Sequence, residues 1–261
     1  MTQHVYTFET GAASDKGRVR DINEDNWYAD ESCGVWLVAD GMGGHTNGKL
    51  ASFKIVESAR SVGHAVSAPD LLARFNDRMF RANDELLAFS ASRNNMVLGS
   101  TLVSILIFGN HFACVWAGDS RAYLIRNNEI HQVSRDHTEV QDLFDRGVID
   151  AEQARTWPRR NVITRAVGVF SDLELDTIHG QVVDGDRFIL CSDGLTGHVS
   201  DHEIHKIVSE YGSQDACNRL VELTIERGAK DNVTAVVARC MAGKANKPFA
   251  MAMSGDHGGA P

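Results

Sequence analysis

The chain has 261 residues, of which 43% are hydrophobic and 23% are charged, a composition typical of soluble globular proteins. Its formal net charge of -9 argues against nucleic acid as a partner, because binding to a phosphate backbone requires a basic face. The longest apolar stretches, such as residues 102–108, have the length of a strand rather than of a membrane span. The first ten residues also lack the basic and apolar regions of a signal peptide, so we expect a cytoplasmic protein without membrane association.

Hydrophobic periodicity predicts strands and helices that come in blocks along the chain. In the first half we expect strands over residues 4–13 and 26–40, helices over 48–66 and 68–92, and a meander of about four strands between 100 and 134. In the second half we expect a short helix over 139–146, strands over 161–167, 173–183 and 186–192, helices over 201–210 and 213–227, and a last strand over 232–240. This block-wise order favours an α+β fold with antiparallel sheets over a doubly wound parallel fold.

No repeat or internal linker divides the chain, so we expect a single domain over residues 1–240. Residues 137–160 interrupt the strand pattern with a polar stretch, which is either a mobile flap beside a functional site or a simple surface excursion. Residues 241–261 are rich in Gly, Ala, Ser and Lys, and this composition predicts a disordered tail.

Four aspartates stand at the boundaries of short apolar runs. Asp40, Asp119 and Asp193 each follow such a run, and Asp231 comes just before one. In an antiparallel sheet the start of one strand lies beside the end of its neighbour, so we expect the four carboxylates at one sheet edge. Two carboxylates about 4 Å apart repel by roughly 4 kcal/mol at an effective dielectric near 20, so such a cluster requires protons or cations. Oxygen ligands favour Mg²⁺ or Mn²⁺ over zinc, which prefers His and Cys.

The alternative for each Asp-Gly pair is an ordinary hairpin turn. Asp40-Gly41 and Asp193-Gly194 taken singly fit that interpretation, but four aspartates at four strand boundaries favour the cation site. The missing side chain of Gly41 also allows its backbone carbonyl to approach an ion closely.

Six short motifs occur in the order found in one known family. They are Gly17-Arg18-Val19-Arg20-Asp21-Ile22-Asn23-Glu24-Asp25, Ala39-Asp40-Gly41-Met42-Gly43-Gly44-His45, Gly99-Ser100-Thr101, Ala117-Gly118-Asp119-Ser120-Arg121, Cys191-Ser192-Asp193-Gly194-Leu195 and Lys230-Asp231-Asn232-Val233-Thr234. Together they resemble protein phosphatase 2C, the metal-dependent Ser/Thr protein phosphatases, and the Met-containing Asp-Gly loop is similar to the bacterial branch. The resemblance covers about residues 8–240. It implies a four-layer sandwich of two antiparallel β-sheets flanked by α-helices on both outer sides.

The resemblance also implies two Mn²⁺ or Mg²⁺ ions. The family position of Asp40 bridges both ions, and the carbonyl at the position of Gly41 helps to hold one of them. The positions of Asp193 and Asp231 hold the other ion. The adjacent pair Glu24 and Asp25 lies among the direct ligands or just outside them.

Three further residues complete the expected reaction centre. Asp119 matches a position linked to a third, weaker metal in bacterial members, and Arg20 matches the arginine that grips the substrate phosphate. Two metals that share one water can lower its pKa and aim it in line at phosphorus, so no Ser or Cys nucleophile is required. Arg20 can form the bidentate hydrogen bonds that a lysine cannot. His45, five residues beyond the bridging aspartate, is the candidate proton donor to the leaving alkoxide, and its alternative is a loop histidine without a catalytic role.

One position departs from the family pattern. Gly197 stands where members often carry another acidic residue, and the next carboxylate is Asp201. This difference affects outer water binding or the third metal and leaves the core aspartates in place. For two other motif residues we expect structural roles, with Arg121 paired to a carboxylate and His137 used for packing or loop anchoring.

The function implied by the resemblance is hydrolysis of phosphoserine and phosphothreonine on proteins by a metal-dependent phosphatase. The expected partners are phosphorylated protein substrates and a cognate cytoplasmic Ser/Thr kinase, with the chain itself a monomer. One alternative is a binding module of the same fold that holds phosphoprotein without turnover, but such a module should have lost a core aspartate or Arg20. Another alternative is a metal-dependent hydrolase of a small phosphate ester or a phosphodiester.

Overall fold

Two antiparallel sheets form the centre of the computed structural model, which describes residues 6–43, 47–94 and 96–243. Sheet I contains, in spatial order, β1 (Tyr6–Asp15), β11 (Val233–Ala242), β10 (Arg187–Cys191), β7 (Arg121–Arg126) and β8 (Glu129–Gln132). Sheet II contains, in spatial order, β2 (Asp25–Asp30), β3 (Val35–Met42), β5 (Leu102–Phe108), β6 (His111–Ala117) and β9 (Asp176–Gln181), and the short β4 (Gly99–Ser100) pairs with β3. The helices are α1 (Asn47–Arg60), α2 (Ala68–Ser92), α3 (Glu139–Asp145), α4 (Ala151–Thr156), α5 (Asp193–Thr196), α6 (Asp201–Glu210) and α7 (Ser213–Glu226).

Alternation along each strand divides the core into three hydrophobic layers. Trp36 and Val38 of β3 pack between the sheets with Phe188 of β10, whereas the intervening Leu37 faces the opposite side. That opposite side of sheet II is covered by α1 and α2, and α6 and α7 cover the outer side of sheet I. The expected four-layer α+β sandwich is therefore confirmed, and both faces of each sheet are buried.

Several sequence-based boundaries were wrong for identifiable local reasons. The run over 26–40 is two strands, because a turn at residues 31–34 reverses the chain. In this turn Asp30 Oδ1 accepts the backbone N–H groups of Ser32 and Cys33, and Gly34 has a φ of 69°. Residues 161–167 form no strand and make only isolated bridges. The short α4 was missed, although Asp150 and Gln153 form a capping box at its start. Strand β11 extends to Ala242, so the first residues of the expected tail belong to sheet I, and residues 244–261 lie outside the described residues.

The segment expected as a flap contains α3 and α4. Its base is tied to the end of sheet II because the His137 N–H donates to the Gly118 carbonyl at 2.9 Å, and its two ends meet in an isolated bridge between Thr138 and Ile163. The segment thus starts next to the loop that carries Asp119. Whether it moves remains a prediction, as does the single domain over residues 1–240. Among the helices that the structure describes, none has both the length and the apolar character needed to cross a membrane.

Candidate metal centre

The four aspartates singled out from the sequence come from both sheets rather than from the edge of one. Asp40 lies near the end of β3 and Asp119 stands two residues after the end of β6, both strands of sheet II. Asp193 begins α5 straight after β10, and Asp231 precedes β11, both on sheet I. The carboxylates therefore meet at one end of the sandwich, where the two sheets face each other.

The electrostatics of this end show how closely the acids lie. Burial, followed by repulsion from Asp25, Asp193, Asp119 and Asp231, raises the pKa of Asp40 well above its ordinary value. Burial and the neighbouring Asp193 raise the pKa of Asp119 to about 8. The pKa of Asp193 is raised by burial and then by Asp231. Without a cation, the cluster must therefore retain protons near neutral pH.

Asp25 joins the two sheets. It is the register partner of Asp40 in the β2–β3 ladder, and its Oδ2 accepts hydrogen bonds from Ser192 Oγ at 2.7 Å and Thr234 Oγ1 at 2.8 Å on sheet I. Burial raises the pKa of Asp25 to about 7 even though these hydroxyls oppose the shift. Its Oδ1 is buried and has no hydrogen-bond partner among the described residues. A lone pair left in this way is suited to a cation.

Glu24 supplies a second orphaned oxygen. Its Oε1 is also buried without a partner in the described part of the chain. The Glu24 backbone is fixed on both sides, because its carbonyl accepts the Gly41 N–H at 3.2 Å and the Ser52 hydroxyl at 2.6 Å, while its N–H donates to Asn232 Oδ1 at 2.9 Å. The carboxylate is thus held at the junction of β2, β3 and α1.

Gly41 is required for the approach of α1. A Cβ atom on Gly41 would overlap the backbone carbonyl of Gly48 in the first turn of α1. A Cβ atom on Gly48 would in turn meet Glu24 Oε1 at 2.6 Å. These two glycines allow the helix to begin directly on the acidic cluster.

Arg20 and Asp231 form the exposed side of the centre. Arg20 Nη2 lies 2.7 Å from Asp231 Oδ2, with the arginine side chain 50% and the aspartate side chain 37% exposed. The loop that carries Arg20 is held by Asn232 Nδ2, which donates to the carbonyls of Lys16 and Ile22 at 2.9 Å each. Asn232 therefore fixes both the arginine loop and Glu24 against the start of β11.

Thr101 links the loops of Asp40 and Asp119. Its Oγ1 accepts the Asp40 N–H at 3.0 Å, its N–H donates to the Asp40 carbonyl at 2.9 Å, and its hydroxyl lies 2.7 Å from Ser120 Oγ. Sequence reasoning placed Thr101 and Asn232 in motifs but gave them no role. The available signal was the presence of buried polar side chains beside acids within apolar strands, since such groups are kept when they satisfy a partner.

The residues expected as metal ligands lie at one end of the sandwich, but their side chains do not converge on a single point. In the described ranges, no three His, Cys, Asp or Glu side chains are arranged to hold an ion together. Two of these acids turn towards other partners instead of towards a common point. Asp231 contacts Arg20, and Asp25 contacts Ser192 and Thr234. The orphaned oxygens and the raised pKa values fit hard divalent cations with oxygen ligands.

The remaining candidates separate into structural residues and one that is not described. Arg121 donates three hydrogen bonds to Asp136, from Nη2 to Oδ2 at 2.7 Å and from Nε to Oδ1 at 2.9 Å and to Oδ2 at 3.1 Å, as expected for a structural pair. Asp201 accepts a hydrogen bond from the Tyr123 hydroxyl at 3.0 Å, so it does not replace the acid missing at Gly197. His45 lies outside the described residues, and its role remains a prediction.

His137 anchors the loop before Asp119. Its Nδ1 accepts the Gly118 N–H at 3.2 Å, and its Nε2 lies 3.1 Å from Asp176 Oδ2. The ring also stacks on Trp116, with ring centroids 5.9 Å apart. These contacts match the packing and anchoring role expected from the sequence.

Comparison with known proteins identifies the class to which this fold and site belong. The family model described as Protein phosphatase 2C matches residues 15–142. The serine/threonine phosphatase stp of Listeria monocytogenes is 31% identical over 233 residues, which cover 86% of this chain and 92% of that protein. The chain belongs to the protein phosphatase 2C family.

Two further comparisons concern a longer relative. The serine/threonine protein phosphatase PstP of Mycobacterium tuberculosis is 37% identical over 261 residues, which cover 98% of this chain and 50% of PstP. The chain thus spans about half the length of that relative. A crystal structure of the PstP catalytic domain in complex with two manganese ions superposes with a TM-score of 0.83 at 35% identity, and the match covers 91% of this chain and 100% of that domain.

Proposed function

We propose that this chain is a Mn²⁺- or Mg²⁺-dependent Ser/Thr protein phosphatase that hydrolyses phosphoserine and phosphothreonine on proteins. The observation that carries the proposal is the cluster of buried carboxylates from two sheets with an exposed arginine at its mouth. Membership in the family and the phosphatase activity for which its relatives are named support the same conclusion.

The residues of the cluster divide into those that would hold cations and those that would hold substrate. Asp40 and the Gly41 carbonyl, with Asp193 and Asp231, would bind two ions, the number of manganese ions in the PstP catalytic-domain structure. Asp25 and Glu24 offer their orphaned oxygens to the same ions or their waters, and Asp119 offers a carboxylate for a third, weaker ion. Bound divalent cations supply charge neutralisation, polarisation of the phosphate and an activated water.

Arg20 is the residue placed to bind the substrate phosphate. Its guanidinium is half-exposed, and its present partner is a carboxylate that would belong to the metal site. Once that carboxylate is neutralised, Arg20 is free to turn its planar fork towards a phosphate dianion. In this proposal His45 donates a proton to the leaving Ser or Thr oxygen. The chain would act as a cytoplasmic monomer that opposes a Ser/Thr kinase.

The decisive experiment measures hydrolysis of a phosphothreonine peptide and of an aryl phosphate with added Mn²⁺ or with chelator. We expect turnover only with the metal. Asp40→Asn should lower kcat/KM at least about 100-fold, because even groups that only orient metal ligands cost about 10- to 100-fold when they are removed. The matched control is Asp84→Asn, which changes an exposed aspartate on α2 and should leave turnover unchanged.

Full turnover in chelator would rule out the metal-dependent mechanism. Tight peptide binding without turnover under any metal condition would instead favour the alternative of a phosphoprotein-binding module. Hydrolysis of the aryl phosphate together with no hydrolysis of phosphopeptides would favour the alternative of a small-ester hydrolase.

A further inference from the structure

Helix α1 presents two large apolar side chains to solvent beside the metal centre. Its inner face packs against sheet II and α2 through Ala51, Ile55, Val56 and Ala59, all buried in the hydrophobic core. On the exposed side, Leu50 is 38% and Phe53 is 51% exposed. The two lie three residues apart and are therefore neighbours on one helix face. Neither side chain is needed to attach the helix to the sheet.

These side chains line a groove that reaches the metal centre. The groove has a volume of about 560 Å³ and is lined by Asn23, Asp25, Asn26, Lys49, Leu50 and Phe53. One wall is therefore the first two turns of α1, and the other is the start of the edge strand β2. The first turn of α1 lies against the acidic cluster, since a Cβ atom on Gly48 would meet Glu24 Oε1 at 2.6 Å, and the groove along the next residues of α1 therefore begins beside the cluster. The ammonium group of Lys49 gives the groove a cationic wall for an anionic peptide.

We propose that this α1–β2 groove binds a bulky apolar side chain of the protein substrate close to the phosphorylated residue. The inference rests on the proposed phosphatase function and specifies its substrate class. Gly48 of α1 lies against Gly41 at the centre, and Phe53 is five residues further, or about 7.5 Å along the helix axis. An extended peptide advances about 3.3 Å per residue, so the side chain in the groove belongs about two residues from the phosphoresidue.

The groove binds substrate and transition state alike, because it lies away from the reacting phosphorus. Its contribution should therefore appear in KM for peptides and leave kcat nearly constant. An aryl phosphate does not extend into the groove and should be insensitive to it. Occupation by an apolar side chain in a partly open pocket should raise kcat/KM by about 10-fold, near the lower end of the range known for hydrophobic pockets.

The first test uses the unaltered chain with two phosphothreonine peptides. One carries Phe two residues before and two residues after the phosphothreonine, and the other carries Ser at both positions. We expect about 10-fold higher kcat/KM for the Phe peptide, mainly through KM. Equal kcat/KM values for the two peptides would overturn the proposal without affecting the proposed phosphatase function.

The second test uses the single variant Phe53→Ser and the double variant that combines Leu50→Ser with Phe53→Ser. The preference for the Phe peptide should shrink to about 1, while turnover of p-nitrophenyl phosphate stays unchanged. The matched control is Phe80→Ser on α2, which alters a side chain that is 44% exposed but does not line the groove, and it should keep the full preference. Retention of the preference in the double variant would overturn the proposal.

Binding measurements separate failure of the inference from failure of the proposed function. Fluorescence anisotropy with labelled versions of both peptides reports the preference even if the chain hydrolyses neither of them. Absence of metal-dependent turnover would refute the function, whereas equal affinity for both peptides would refute the groove. A concentration-dependent increase in mass that Phe53→Ser abolishes, together with no peptide preference, would assign this face to a second copy of the chain and overturn the proposal.

Discussion

At the scale of single residues, the ion pair between Arg20 and Asp231 matters for position rather than for stability. Both side chains are substantially exposed, and pairs of this kind contribute about 0–1 kcal/mol to folding. Asn232 nevertheless fixes the Arg20 loop with two hydrogen bonds, so the guanidinium is kept at the mouth of the acidic cluster. The guanidinium of Arg20 is thus held beside the carboxylates although its ion pair contributes little to the free energy of folding.

Replacement of Arg20 by lysine tests this interpretation. The charge remains, but the planar fork is lost, and a charge-assisted hydrogen bond is worth about 1.5–3 kcal/mol. We therefore expect Arg20→Lys to lower kcat/KM for a phosphopeptide by roughly 10- to 100-fold. The melting temperature should stay nearly unchanged. Steady-state kinetics and a thermal melt measure both effects.

The matched control for this substitution is Arg18→Lys. Arg18 is exposed in the same loop and contributes its backbone N–H to the Ala229 carbonyl at 2.9 Å, a bond that the substitution keeps. It should behave like the unaltered chain. An Arg20→Lys variant with full phosphopeptide activity would contradict the assignment of Arg20 to the phosphate.

At the scale of elements, the contact between β3 and the start of α1 positions the centre. Gly41 and Gly48 lie against each other, and the Ser52 hydroxyl of α1 binds the Glu24 carbonyl at 2.6 Å. The sequence predicted the helix and placed its start within one residue of where it lies, but it predicted β3 only as part of one long strand over 26–40. It did not predict that the helix rests on the acidic cluster, because helical periodicity identifies the buried face and not the element that it contacts.

The substitution Gly41→Ala should separate these elements. Its Cβ would overlap backbone rather than a flexible side chain, so α1 must shift, at a cost of about 1–3 kcal/mol in unfolding free energy. Affinity for Mn²⁺ should also fall, as measured by titration calorimetry. The control Gly197→Ala adds a Cβ that meets only the Asp193 carbonyl, at 3.3 Å, and should change stability by less than about 0.5 kcal/mol. Equal stability of the two variants would contradict the close approach.

At the scale of the whole molecule, the sandwich forces buried acids from both sheets to face one another. Burial raises the pKa of Asp25 to about 7 and that of Asp119 to about 8, from an ordinary value of 3.8. The folded chain therefore keeps protons that the unfolded chain releases. The associated stability is complete below about pH 4 and is lost as the pH rises through 7 to 8.

Thermal melts in chelator should consequently show a melting temperature that falls between pH 5 and pH 8.5. Added Mn²⁺ should flatten this dependence, because the ion binds only the folded centre and replaces the protons. Asp119→Asn in chelator should show a weaker fall, since one of the titrating groups is removed. A melting temperature in chelator that rises over this range would contradict the shared burial of the acids.

Much of the molecule was predictable from local sequence. The α+β class and the positions of most elements follow from periodicity, and the clustering of Asp40, Asp119, Asp193 and Asp231 follows from acids at strand boundaries. The segment over 161–167 was not predictable in this way, since its apolar residues serve isolated bridges instead of a ladder. The order of the six motifs also predicted the family, because the residues of each motif are adjacent in sequence.

The tertiary structure alone decided how the predicted parts meet. Arg20 and Asp231 are 211 positions apart, and Asp25 and Thr234 are 209 apart, so no periodic pattern relates them. Only the packing of sheet I on sheet II turns Asp25 towards hydroxyls of the opposite sheet and leaves its second oxygen without a partner in the part of the chain that the structure describes. Sequence by itself determined which residues can bind a cation, since that depends on side-chain chemistry. The contacts between distant strands determined where those residues meet and which groove opens beside them.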